Sequence, residues 1–147
     1  MSKEEPSITM FDKQYLIDTN KKILERHRRL TGERVWIGTT KTIDDILPHV
    51  NSVGNSGNKR EDVVEKATHL MAKITHAQPF EDGNRRTGII STMQFLRDNG
   101  YELEIESGQA NLDIRKMLKE IKMHMSGLHK ETLEQISFYI SKRIVSL

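Results

Sequence analysis

Residues 78–88 read Gln-Pro-Phe-Glu-Asp-Gly-Asn-Arg-Arg-Thr-Gly, and their types and spacing can do chemistry. Asp82, Gly83, Asn84, Arg85 and Arg86 place an acid, a glycine turn, an amide and two cations in consecutive positions. Apolar-periodic segments on both sides read as helices, so the glycine turn opens a helix. The first N–H groups of a helix have no intrahelical partner and suit phosphate oxygens. Gly83, Asn84, Arg85 and Arg86 are the expected phosphate-binding residues. Asp82 beside them can hold magnesium, which phosphates usually require. The plain alternative is a helix-capping turn with solvated charges, since Asp and Asn are good caps.

The elements that must position this loop are nearly all helical, and the expected class is all-α. Residues 11–30 carry Tyr15, Leu16, Ile23 and Leu24 among charges and read as an amphipathic helix. Residues 60–77 place Val63, Val64, Ala67, Leu70, Met71 and Ile74 at helical spacing, ended by Pro79. Residues 84–99 follow with Ile89, Ile90, Met93 and Leu96, and Gly100 closes them. The C-terminal segment 111–146 reads as two helices, 111–125 and 129–146, with a break near Ser126-Gly127. Residues 31–58 read as irregular, with Gly32, Gly38, Pro48 and a Ser/Asn/Gly-rich stretch at 51–58. Within them Val35, Trp36 and Ile37 form a short strand candidate inside a hairpin-like flap at 33–42. Trp36 there either packs in the core or presents an edge to a target peptide.

The 147 residues suit one compact domain over 1–147, with a modest core at 35% hydrophobic and a surface fed by 30% charged residues. A net charge of +2 is too balanced for a bulk grip on nucleic acid, which is not an expected partner. The run Lys21, Lys22, Arg26, His27, Arg28, Arg29 is interleaved with Asp18 and Glu25 and reads as a solvated helix face. With no cysteine there is neither a disulfide framework nor a thiolate zinc site. His69 and His76 stand two helical turns apart, about 10 Å, too far to share a metal. His27, His49, His124 and His129 are scattered and read as surface or hydrogen-bonded residues. The N-terminal residues lack the apolar core of a signal peptide, and no run reaches membrane-spanning length. A cytoplasmic protein without membrane partners is the expectation.

The loop resembles the signature of the Fic/Doc family, His-x-Phe-x-(Asp/Glu)-Gly-Asn-(Gly/Lys)-Arg. Phe80, Asp82, Gly83, Asn84 and Arg86 match it as they stand. Phe95-Leu96-Arg97-Asp98-Asn99-Gly100-Tyr101 is similar to the helix end that follows the signature, and Arg34-Val35-Trp36-Ile37-Gly38 to the family's target-aligning flap. The likeness covers roughly residues 30–105. It implies a Fic-like helical bundle that moves AMP, or in Doc-type members a phosphate, from a nucleotide to protein hydroxyls. ATP is the implied substrate and magnesium the implied cofactor. A hydroxyl-bearing target protein and an antitoxin or other inhibitory partner are the implied partners. Phe80 is implied to be a structural anchor, Arg86 to be catalytic as well as phosphate-binding, and Val35, Trp36 and Ile37 to form the target flap.

Three positions depart from the pattern. Gln78 stands at the histidine that activates the target hydroxyl. Arg85 stands where adenylylating members have glycine and Doc-type members lysine, and Ile89 where adenylylating members have a second arginine. A neutral amide can orient a hydroxyl but has no useful basicity near neutral pH. Losing a general base typically costs about 10²–10⁴ in rate. His76 can replace it only if the helix ends before His76, because two helical steps rotate a side chain by about 200°. The inhibitory string (Ser/Thr)-x-x-x-Glu-(Gly/Asn) does not occur in the chain. Three readings stay open: an AMP- or phosphate-transferring enzyme with a non-standard catalytic position at Gln78, a Fic-like module that binds without turnover, and a helical interaction protein.

Overall fold

The computed structural model describes residues 7–104, 114–119 and 130–147. Helix α1 (Lys13–Thr31) starts on Asp12, whose carboxylate accepts the Tyr15 N–H at 2.9 Å, and ends on Gly32 in the left-handed conformation. A 3-10 turn (Lys41–Asp45) leads into α2 (Ile46–Asn51), followed by α3 (Lys59–Ala77) and α4 (Asn84–Asp98). Strand β1 (Tyr101–Leu103), a helical segment α5 at residues 114–119, α6 (Lys130–Arg143) and strand β2 (Ile144–Ser146) complete the described chain. The all-α class holds. The break expected near Ser126-Gly127 lies outside the described residues.

Helix α3 sits at the centre and packs against α2, α4 and α6, while α1 packs on α4. All six of its expected apolar positions, Val63, Val64, Ala67, Leu70, Met71 and Ile74, are buried. Two buried hydroxyls on α3 are satisfied within the helix, Thr68 donating to the Val64 carbonyl at 2.7 Å and Thr75 to that of Met71 at 2.9 Å.

Three local differences from the sequence expectation have physical reasons. The segment around Pro48 is helical, because proline in a helix's first turn forfeits only an N–H that has no partner there. Ile43, Ile46 and Val50 are buried along this short stretch. Residues 144–146 leave the helical path and pair antiparallel with β1, Tyr101 opposite Ser146 and Leu103 opposite Ile144. The β-branched Ile144-Val145 pair suits a strand once a partner edge is present. On α4 the spacing points Ile90 inward, yet it is 44% exposed, and the buried face is Thr87, Gly88, Ser91, Thr92, Phe95 and Leu96. Small residues let α4 approach α3 closely: a Cβ at Gly88 would lie 3.5 Å from the Met71 carbonyl oxygen.

His49 and His69 meet where α2 crosses α3, with Nε2 of His49 2.9 Å from Nδ1 of His69. Burial lowers both pKa values, and His69 and Lys73 lower that of His49 further. Below the unfolded value of 6.5 the unfolded chain binds more protons than the folded one. The contribution to stability is therefore complete above that pH and is lost as pH falls toward the lowered folded values. The Tm at pH 5 is expected to lie below that at pH 7.5. A His49→Gln/His69→Gln variant should show a smaller difference between the two scans.

Candidate active site

The loop between α3 and α4 is fixed from several directions. Gln78 caps α3 with φ 50° and ψ 62°, its N–H bonded to the Ile74 carbonyl at 3.1 Å. Among the described residues it alone, apart from glycines, has positive φ. This conformation costs roughly 1–2 kcal/mol for an L-residue, and such strain concentrates at functional positions. Phe80 is buried in the core. The Asn84 side chain grips its backbone on both sides, Oδ1 accepting the Phe80 N–H at 3.0 Å and Nδ2 donating to the Phe80 carbonyl at 2.9 Å. The Asn84 amide is thus committed to holding the loop, and what it offers a phosphate is its backbone N–H. Asn84→Ala is expected to lose about 1–3 kcal/mol by stranding the two Phe80 groups. Denaturant unfolding checks this.

Gly83 takes φ 73°, and a Cβ there would lie 3.0 Å from Cδ2 of Leu24 and 3.3 Å from Nδ2 of Asn20. Only glycine fits both the backbone angle and the space. Asn20, buried on α1, donates to the Asp82 carbonyl at 2.8 Å and to the Thr87 hydroxyl at 3.1 Å. It ties the loop and the start of α4 to α1. Its type gave no signal in the sequence, because it looks like one more polar residue on a charged helix. The Asp82 carboxylate accepts the Gly83 N–H at 2.9 Å.

The two helices flanking the loop start differently. Helix α3 is capped by Asn58 and has Glu61 and Asp62 in its first turn. Helix α4 has no side-chain cap and no acid in its first turn, which carries Arg85 and Arg86 instead. A helix dipole disfavours cations at this end and favours an anion. Both arginines are exposed, and with Gln78, Asp82, Gly83 and Asn84 they line a cavity of about 410 Å³. His27, Glu33, Arg34, Val35 and Glu81 also line it. A larger cavity of about 570 Å³ lies between α3 and α6, and none of the loop residues lines it.

His27 is hydrogen-bonded, as one of its two sequence readings has it. The charge pattern assigns it to the solvated face of α1, but it lines this cavity. Arg86 donates to His27 Nδ1 at 3.0 Å, and His27 Nε2 lies 3.0 Å from a Glu33 carboxylate oxygen. A guanidinium only donates, so Nδ1 accepts and Nε2 carries the proton given to Glu33. The available signal was Gly32, whose left-handed cap turns the chain back so that Glu33 meets His27. His76 lies within α3 and is not part of the cavity wall.

The segment 33–42 runs along the loop as an antiparallel neighbour. Thr39 bridges Phe80, the Thr40 N–H donates to the Pro79 carbonyl at 2.7 Å, and the Glu81 N–H donates to that of Gly38 at 3.0 Å. Trp36 is 56% exposed and Ile37 44% exposed, with the Arg34 guanidinium 5.2 Å from the centre of the Trp36 ring. Of the two readings of Trp36, the exposed one is observed.

No group of three or more His, Cys, Asp or Glu side chains among the described residues can cage a metal. Magnesium needs no such cage: it is commonly held by one or two carboxylates, water and substrate phosphates. A lone Asp82 beside a phosphate-suited helix start fits that donor set.

Fold and site together define a helical protein whose glycine turn opens a helix that begins with two arginines beside a cavity. A family model described as the Fic/DOC family matches residues 10–96, from before α1 to near the end of α4, and includes the whole loop. The chain belongs to the Fic/DOC family. Nucleotidyl transfer of the AMPylation type is the family's general chemistry, and its members typically use magnesium-ATP. No curated protein and no solved structure matches the chain.

Proposed function

We propose that this protein binds ATP with magnesium in the loop cavity and transfers AMP to a Ser, Thr or Tyr hydroxyl of another protein. One observation carries the reading. The uncapped start of α4, with two arginines at the end of the helix dipole that repels them, opens into a cavity beside Asp82. An anion relieves that arrangement. Gly83, Arg85, Arg86 and the Asn84 N–H hold phosphate oxygens, and Asp82 holds the magnesium, which when bound neutralises phosphate charge. Gln78, on the cavity wall, orients the incoming hydroxyl. The exposed Trp36 and Ile37 beside the loop suit a target segment laid along the flap.

Phosphate transfer of the Doc type is the second reading. Arg85 and the aliphatic Ile89 favour it, because Ile89 provides no second cation along α4.

The deciding experiment incubates the protein and its Asp82→Ala variant with magnesium, cell lysate and ATP labelled at either the α- or the γ-phosphate. Transfer of the α-label, abolished in Asp82→Ala, is the expected result. Transfer of the γ-label alone replaces AMP transfer by phosphate transfer. ATP bound without any transfer leaves a binding module. Absence of both binding and transfer removes the nucleotide reading.

A further inference from the structure

We infer that His27, oriented by Glu33, is the general base of this site, and that Arg86 covers its lone pair until a nucleotide arrives. The inference rests on the nucleotide reading above. A hydroxyl attacking a phosphate loses its proton, a positioned base speeds that loss, and Gln78 cannot be that base. Of the cavity's carboxylates, Asp82 is engaged by the Gly83 N–H and Glu33 by His27, while no side chain among the described residues orients Glu81. His27 has the build of an activated base: one ring nitrogen protonated and anchored on a carboxylate, the other a lone pair. That lone pair is occupied by Arg86, the same guanidinium that the loop offers to phosphate.

Arg86 has further N–H groups for a phosphate, but aligning its planar fork on the anion turns the whole guanidinium, including the group that bonds Nδ1. A phosphate oxygen, being anionic, makes the stronger charge-assisted bond and draws the guanidinium away from the neutral ring. Nδ1 then faces the cavity. The hydroxyl gives its proton to Nδ1 while its oxygen bonds to the α-phosphorus. The bond from that phosphorus to the pyrophosphate oxygen breaks, and pyrophosphate leaves. His27 is left as imidazolium, protonated at both nitrogens and paired with Glu33, and later releases the proton to water. For phosphate transfer the attack falls on the γ-phosphorus and ADP leaves.

Arg86 and Glu33 face His27 directly, and Arg34, Arg85, Glu81 and Asp82 share its cavity.

Two measurements test this. In the first, ¹⁵N-histidine spectra of the wild-type protein are recorded with and without magnesium and a non-hydrolysable ATP analogue. The Nε2–H tautomer is expected throughout, with the Nδ1 signal moving as Arg86 departs. In the second, transfer and hydrolysis of labelled ATP are followed. His27→Gln is expected to keep ATP binding and lose about 10²–10⁴-fold in turnover. Glu33→Gln, a positioning change, lowers turnover less and weakens the preference for the Nε2–H tautomer in the spectra.

Three results would overturn the inference while sparing nucleotide binding. They are a Nδ1 signal unmoved by bound analogue, a His27→Gln rate equal to wild type, and a wild type that binds ATP with no turnover. Failure of the wild type to bind magnesium-ATP removes both readings. Where His27→Gln does not fold, the wild-type spectra decide.

Discussion

Arg86→Ala is expected to lower label transfer by about 10³-fold, the lower end of what an arginine on a transferring phosphoryl group contributes. It stands in the first turn of α4, lines the cavity and, among the described residues, bonds the His27 ring alone, so it is poised to exchange that partner for a phosphate. Ile89, one helical turn further along, supplies no second cation to share the load. Loss of charge-assisted bonds to phosphate, about 1.5–3 kcal/mol, also weakens ATP binding by about 10–100-fold. Arg86→Lys recovers the loss in part, because an ammonium is a point charge without the planar fork. Initial rates of label transfer and calorimetric titration with magnesium-ATP check both effects. Rates within threefold of wild type would reduce Arg86 to a surface cation.

In a His27→Gln background, Gln78→His is expected to regain about 10²–10⁴-fold in turnover. The backbone at position 78 already holds the left-handed conformation, which histidine tolerates better than most L-residues. The backbone bond from the position-78 N–H to the Ile74 carbonyl holds that turn independently of the side chain. An imidazole therefore enters the cavity wall without moving the loop, and turnover regains a base at a second position. A double variant that binds ATP and stays silent would show that side chains at position 78 do not reach the hydroxyl.

The helices were legible where hydrophobic spacing and capping residues agreed. Along α3, six apolar positions at helical spacing are all buried, and Pro79 lies just beyond its end. The helical stretch around Pro48 was not legible, since a proline in a tolerated first-turn position looks the same in sequence as one that breaks a helix. Strand β2 was not legible either. Ile144-Val145 can end a helix or pair as a strand, and only the nearness of β1 selects the second. The buried face of α4 is carried by Thr, Ser and Gly, which a count of apolar residues passes over.

At the site, residue types and spacing determined the loop, its glycine turn and the two arginines at a helix start, and the resemblance to the Fic/Doc signature marked Gln78 as standing at the histidine position. These are local features, fixed by backbone angles and by groups that neighbours in sequence cannot satisfy. Only the tertiary structure decided that the Asn84 side chain binds the loop, that Asn20 ties it to α1, and that Trp36 is exposed. It also decided that His27 turns into the cavity to meet Arg86, 59 residues later in the chain. Contacts across such separations depend on how α1 and α4 pack, and the periodicity of a single helix holds no record of which polar residue faces which partner.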